Sequence, residues 1–336
     1  MRRARSLAVT LALALAATFL ATACEGDRGR NERVRADPGA LASASPSASP
    51  SLTLRVLDVS DSRVGGLAVL VSDSSDGRAR HLLIDGGDQA ETVARALRRL
   101  GVDSLALVVL THAHTDHYNG LPAVLRSHRV AAFAWNGDSR ALDSYRRLLR
   151  QVDASGARPI VVSQSDREVT LVTGTDTLRI TLLAPPPSSS AGARRRAGAS
   201  SEINNRSVGV LLRYGAFSAL VPGDAEHHEL RDWTRRLGRA LDVDVLVASH
   251  HGARDANSTD RNRDWYRIVT PRALLIGANG RQHPYPEVLA HARSERIPVY
   301  CTHTHGSVAA RATRDGAFVV LPGRPAHCTP GTELAR

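Results

Sequence analysis

The chain of 336 residues is 42% hydrophobic and 23% charged. That is enough apolar material for a sizeable core and excludes wholesale disorder, collagen-like repeats and disulfide-only scaffolds. All 44 basic residues are arginine against 33 acidic ones, a net charge of +11 that suits polyanionic partners such as nucleic acid or an anionic membrane surface, and equally fits a GC-rich coding bias. Aromatic residues make up only 4%, which leaves few rings for stacking bases.

In chain order, residues 1–23 read as a secretory signal: a basic Met1–Arg5, an apolar Leu7–Leu20 and the small residues Ala21-Thr22-Ala23. The apolar run is short for a transmembrane helix, so export is expected. Two processing routes fit the residues around Cys24. Leu20-Ala21-Thr22-Ala23-Cys24 resembles a bacterial lipobox, with Ala21 where such boxes prefer Leu, and Ala21-x-Ala23 also satisfies an ordinary signal peptidase. The cysteine count favours a lipid on Cys24, because Cys301 and Cys328 then remain as an even pair, expected to form a disulfide in an oxidising compartment. Residues 24–51 are a Ser/Pro/Ala-rich stretch with few apolar side chains to offset ordering entropy, expected to act as a flexible tether to the outer face of a membrane.

The folded unit is expected over residues 52–322, with 323–336 as a C-terminal tail. Strands are expected at Leu52–Val59, Gly66–Ser72 and His81–Asp85, then a helix at Ala90–Leu100. The near-continuous apolar run Leu105–Leu110 reads as a strand buried on both faces. Helix Leu121–Ser127, strand Val130–Ala134, helix Leu142–Val152, strand Pro159–Ser163 and a hairpin over Val169–Leu183 come next. Pro185–Ser201 reads as an exposed insertion. Strands Val208–Tyr214 and Ser218–Val221, helix Glu226–Leu237, strand Val243–Ala248, strand Ala273–Ile276, helix Pro286–Arg293, strand Val299–Cys301 and two short strands ending near Leu321 complete the chain. Strands flanked by helices throughout predict a layered α/β sandwich.

Directly after the buried run comes Thr111-His112-Ala113-His114-Thr115-Asp116-His117-Tyr118-Asn119-Gly120. A strand end followed by a turn projects imidazoles and a carboxylate from one short loop, as a metal of borderline softness requires. His112 and His114 can face one ion while Asp116 and His117 reach a second. Asp224 and His250 follow two further strands, completing a candidate ligand set of His112, His114, Asp116, His117, Asp224 and His250 for two divalent ions, zinc or manganese.

His112-x-His114-x-Asp116-His117 resembles the hallmark of metallo-β-lactamase-fold hydrolases. The further stretches Asn204-Asn205-Arg206-Ser207, Gly223-Asp224, Ser249-His250-His251-Gly252, Gly277-Ala278-Asn279-Gly280 and His283-Pro284 are similar to the hydrolase domain of the ComEC family of DNA-uptake proteins. The resemblance implies a four-layered αββα metallo-β-lactamase sandwich with the metals at one sheet edge. The chain departs from many relatives in lacking a third histidine for the first metal. Between Tyr118 and Asp224 the only histidine is His128, expected on the surface of a helix, so antibiotic hydrolysis is disfavoured. No later run approaches the ~18 apolar residues of a transmembrane helix, so a DNA channel is not expected.

The expected chemistry is metal-dependent hydrolysis, with Asp116 orienting the attacking hydroxide as well as binding metal, and with His251 and His283 contacting a phosphoryl oxygen or protonating the leaving group. Asn205 and the basic Arg194, Arg195 and Arg196 are candidate substrate contacts, with metal contact or orientation of a loop also open to Asn205, and Arg254, Arg261, Arg263 and Arg267 follow His251. The expected substrate is nucleic acid or a smaller phosphoester. The alternatives are a small ester, lactone or amide, or a lipid-anchored DNA-binding protein without turnover.

Overall fold

The computed structural model describes residues 51–59, 65–139, 142–187, 199–258 and 264–335. The expected signal, Cys24, the tether before residue 51, and Arg194, Arg195, Arg196, Arg261 and Arg263 lie outside these residues.

The first half runs β1 (Ser51–Val56), β2 (Val69–Ser75), β3 (Arg78–Ile84), α1 (Thr92–Arg99), β4 (Ser104–Leu105), β5 (Leu107–Val109), α2 (Thr115–Tyr118), α3 (Leu121–Ser127), β6 (Arg129–Val130), β7 (Ala132–Trp135), α4 (Asp143–Ser155) and β8 (Arg158–Val161). The second half runs β9 (Arg167–Thr173), β10 (Asp176–Leu183), α5 (Ala199–Asn204), β11 (Gly209–Tyr214), β12 (Phe217–Val221), α6 (His227–Leu237), β13 (Val245–Val247), α7 (Arg254–Asn257), α8 (Trp265–Val269), β14 (Ala273–Ile276), α9 (Pro286–Ser294), β15 (Val299–Cys301), α10 (Thr302–His305), β16 (Val308–Ala312) and β17 (Phe318–Pro322). An eight-stranded sheet has the order β17-β16-β1-β2-β3-β5-β7-β8, and a seven-stranded sheet the order β15-β14-β13-β12-β11-β10-β9. The last two strands thus cross back to close the first sheet beside β1.

Period-two alternation explains the layering. Leu52, Leu54 and Val56, Val69 and Val71, and Leu82 and Ile84 share one buried cluster with Leu178, Ile180 and Leu182, Val210 and Leu212, and Val245 and Val247, the interior between the two sheets. The intervening Leu70, Leu83, Val108 and Phe133 pack on Val93 and Leu97 of α1, Val124 of α3 and Leu148 of α4. Leu211, Leu220, Leu246 and Leu274 pack on Leu230 and Trp233 of α6, Trp265 of α8 and Ala292 of α9. Three apolar interfaces between four layers are the expected αββα sandwich. Among the described residues, no helix is long and apolar enough to cross a membrane.

Several local expectations change. The run Leu105–Leu110 is buried almost throughout but breaks after Leu105, which pairs with β6 in a separate two-stranded sheet. The end of the expected insertion is helical, as α5. His128 is 7% exposed rather than on the surface, its Nδ1 2.9 Å from Ser127 Oγ at the end of α3. The C-terminal segment packs down: Gly331, Thr332 and Glu333 N–H groups donate to the carbonyls of Pro284, Gly280 and Arg281, and Cys328 is bonded to Cys301 with Cα atoms 5.3 Å apart.

Glu229 of α6 is fully buried, accepting from Ser207 N at 3.1 Å with Oε2 while Oε1 has no hydrogen-bond partner among the described residues. Burial, aided by Asp232, pushes its carboxyl well above the usual carboxylate value. A raised folded-state value stabilises the fold fully at pH below the ordinary value, and this contribution is lost as pH rises through the shifted one. Glu229→Gln, which never ionises, is therefore expected to gain in Tm over the parent by several degrees more at pH 8 than at pH 4. Thermal unfolding at both pH values checks this, and an equal difference at the two would contradict it.

Candidate metal centre

The site lies at the carboxyl ends of β3, β5, β12, β13 and β14, the edge where open α/β sheets bind ligands. The loop after β5 turns into the short α2, so that His112, His114, Asp116 and His117 leave it within six positions. Asp224 follows β12 through Gly223, which holds φ at 62° and leaves no room for a side chain, since a Cβ would stand 2.8 Å from Thr111 Cβ. His250 and His251 follow β13 with φ values of 48° and 53°, successive left-handed residues that throw their rings in different directions.

The donors fall into three groups. His112, His114 and Asp224 form the first, and Asp116, His117, Asp224 and His251 the second, with Asp224 common to both. Asp224 Oδ2 is 3.3 Å from His117 Nε2 and 3.7 Å from both His112 Nε2 and His251 Nε2. Asp116 Oδ2 is 3.4 Å from His251 Nε2 and 3.7 Å from His117 Nε2. The third group is Glu226, His250 and Asp255. His251 thus joins the second group, while His250 stands 3.9 Å from Asp224 Oδ2 and turns its other nitrogen to the third.

Hydrogen bonds behind the rings set which nitrogen faces inward. Carboxylates and carbonyls only accept, so His117 Nδ1–H donates to Asp85 Oδ2 at 2.7 Å and His251 Nδ1–H donates to the Gly277 carbonyl at 2.8 Å. Thr111 Oγ1 gives its proton to Asp85 Oδ2 at 2.8 Å, so at 3.0 Å it accepts from His112 Nδ1–H. As neutral rings, all three therefore present a bare Nε2 to the centre. His112 Nε2 lies 2.9 Å from His114 Nδ1, and His117 Nε2 lies 3.3 Å from His251 Nε2. Asp85, with φ at 58° and no exposure, is a functional residue absent from the candidates expected from sequence. The signal was present in Asp85-Gly86-Gly87 directly after a strand, much like Gly223-Asp224.

Charge reflects this packing. Burial works against a charge on His117, but Asp224, Asp85 and Asp116 raise its affinity for a proton well above the ordinary imidazole value. Burial would likewise raise Asp224, yet His117, His251, His250 and His112 hold it well below the carboxylate range. Burial, then His117, keeps His112 neutral. His283 is pushed down to about 3 by burial and by His251 and His250, whose ring centroids lie 6.0 and 5.6 Å away, so it stands at the rim as a neutral ring.

The residues fit metal. His112, His117 and His251 turn their Nε2 atoms toward Asp224, and Asp224 Oδ1 is buried with no hydrogen-bond partner among the described residues. Imidazole and carboxylate donors without thiolate suit zinc or manganese. Asn205, expected at the substrate, instead donates Nδ2 to Glu226 Oε2 at 3.0 Å and accepts from Glu229 N at 3.2 Å. Arg254 and Arg267 are exposed and paired with Glu287 and Glu295, which offsets their charge.

A family model described as the metallo-beta-lactamase superfamily matches residues 62–198, the stretch that carries Asp85 and the His112–His117 motif. Over those residues the chain is similar to that superfamily. It is 23% identical over 226 residues to ComE operon protein 3 of Bacillus subtilis (strain 168), a match covering 66% of this chain and 26% of the relative, so the chain spans about a quarter of that protein's length. Among solved structures the chain is similar to CmlA, a diiron β-hydroxylase from Streptomyces venezuelae (13% identity, 80% of this chain and 55% of that one, TM-score 0.48). It is also similar to a diphosphatase of the PhnP family (15% identity, 79% and 98%, TM-score 0.41). An archaeal metallo-beta-lactamase superfamily protein from Sulfolobus tokodaii is more distant (15% identity, 58% and 77%, TM-score 0.35).

Proposed function

We propose that this metallo-beta-lactamase domain is a dinuclear metal-dependent phosphodiesterase that acts on nucleic acid backbones, held at the outer face of a membrane by a lipid on Cys24. The observation that carries the hydrolytic reading is the sharing of Asp224 between two groups, His112 and His114 on one side and Asp116, His117 and His251 on the other. Two divalent ions held there supply Lewis acidity, bringing water toward ionisation near neutral pH and offsetting charge on the substrate's oxygens. Asp116, the more exposed of the two carboxylates with 14% of its side chain accessible, is placed to orient attacking water. His251 keeps its Nε2 inward through Gly277, and His283 at the rim is placed to contact a phosphoryl oxygen. The buried walls behind these groups exclude competing water.

The choice of nucleic acid rests on the ComEC-like resemblance and on charge, since residues from Leu52 onward hold 37 arginines against 29 acidic residues. Contacts to phosphate make binding fall steeply with salt and leave cleavage independent of sequence. Purified protein is expected to retain about two ions per chain, and to cleave DNA or RNA at low salt only when loaded. Metal analysis with a panel of single- and double-stranded DNA, RNA, a small phosphodiester and a lactone tests this. Full activity after exhaustive metal stripping overturns the mechanism. Turnover of the lactone or the small ester with nucleic acids untouched replaces the nuclease reading by a small-substrate hydrolase.

A further inference from the structure

We propose that Glu226, His250 and Asp255 form a third divalent-cation site beside the dinuclear centre. His250 Nδ1 lies 3.4 Å from Asp255 Oδ1 and 3.9 Å from Glu226 Oε1, and the three donor atoms lie within 4.8 Å of one another. Donors each about 2.1 Å from a common tetrahedral ion stand roughly 3.4 Å apart, so the three surround a volume of ionic size. Apart from their 3.4 Å approach to each other, the buried His250 Nδ1 and Asp255 Oδ1 have no hydrogen-bond partner among the described residues, and both belong to this group.

The carboxylate of Glu226 is held in place from behind. Its residue is only 4% exposed, and it accepts from Asn204 Nδ2 at 2.9 Å, Asn205 Nδ2 at 3.0 Å and the Ser201 hydroxyl. Three donors on one carboxylate fix its direction, which is how supporting residues commonly hold a ligand. The Asn204-Asn205 pair thus has a structural task at Glu226. His250 is committed to the same place by its left-handed backbone, with Nε2 toward Asp224 and Nδ1 toward the two carboxylates.

Two neighbouring carboxylates, with no arginine paired to either among the described residues, stand beside a centre proposed to take a phosphodiester. Left bare they would repel that substrate. A bound cation reverses the sign of this flank. One imidazole and two carboxylates suit manganese or zinc. Asp255 is the solvent side of the site, its side chain 39% exposed, so this ion exchanges more readily than the two deeper ones.

Metal-stripped protein is titrated with Mn²⁺ and separately with Zn²⁺, counting ions by equilibrium dialysis and again after desalting. The expected result is three ions per chain at saturation, of which two survive desalting. Asp255→Asn is expected to lose the exchangeable ion and keep the other two, and Glu226→Gln provides the same loss through a second ligand should the first variant fold poorly. Saturation of the parent protein at two ions, or a third ion retained in both variants, overturns the proposal while leaving the dinuclear reading intact. Failure of the parent to hold even two ions removes the dinuclear reading and this one together.

Discussion

Replacing Asp224 by alanine is expected to remove both tightly held ions and turnover in one step. Its Oδ2 lies within 3.7 Å of His112, His117 and His251, and its Oδ1 has no hydrogen-bond partner among the described residues. Loss of this carboxylate leaves four inward imidazoles without the negative charge that balances two dications. The expected fall in activity exceeds the roughly 100-fold that hydrogen-bonded partners of ligands typically carry. Elemental analysis and turnover on the same preparation check it. An Asp224→Ala protein that keeps both ions, or full activity, contradicts the shared-carboxylate arrangement.

The second large effect is expected at Asp85, which touches no substrate. Its Oδ2 accepts from both His117 Nδ1 and Thr111 Oγ1, and its Oδ1 accepts from Thr111 N at 2.8 Å. In Asp85→Asn, one side of the amide becomes a donor facing His117 Nδ1. That nitrogen must then accept, and the ring proton moves to Nε2, where the metal needs a lone pair. Affinity at the second group is expected to fall by roughly 10- to 100-fold, with the first group much less affected. Asp85→Ala goes further, leaving buried donors on His117 and Thr111 unpaired at about 1–3 kcal/mol each. Competition with a chelating dye and thermal unfolding separate the two effects. Wild-type affinity in Asp85→Asn would show that the ring orientation does not depend on this carboxylate.

Much of the architecture is legible because strands in this chain are short, alternate cleanly and end on Gly, Asp or His. Ala273–Ile276 and Leu121–Ser127 match their expected limits for that reason. The His112–His117 loop is legible because imidazoles so close behind an apolar strand have few structural uses. What the chain order hides is direction. His250 and His251 are equivalent in sequence, and only their successive left-handed backbones decide which ring meets Asp116 and which meets Asp255. Asp85 reads as an ordinary turn residue until β3 and β5 pair in parallel and bring it under His117. Asn205 reads as a substrate contact until α5 and α6 set it against Glu226. Short helices such as α8, anchored by the fully buried Trp265, carry too few turns to show periodicity.

The packed C-terminal segment has a practical consequence for anyone preparing this protein. The loop of Gly280 to Pro284, which carries His283, is held from outside by backbone hydrogen bonds from residues 331–333, and that strap is itself tied down by the Cys301–Cys328 bond. Material made in a reducing cytosol, or carrying a bulky fusion directly after the last residue, would have a loosened strap and a rim histidine that wanders. Such a preparation would show heterogeneous kinetics with intact metal content, and an affinity tag placed ahead of Leu52 avoids the difficulty.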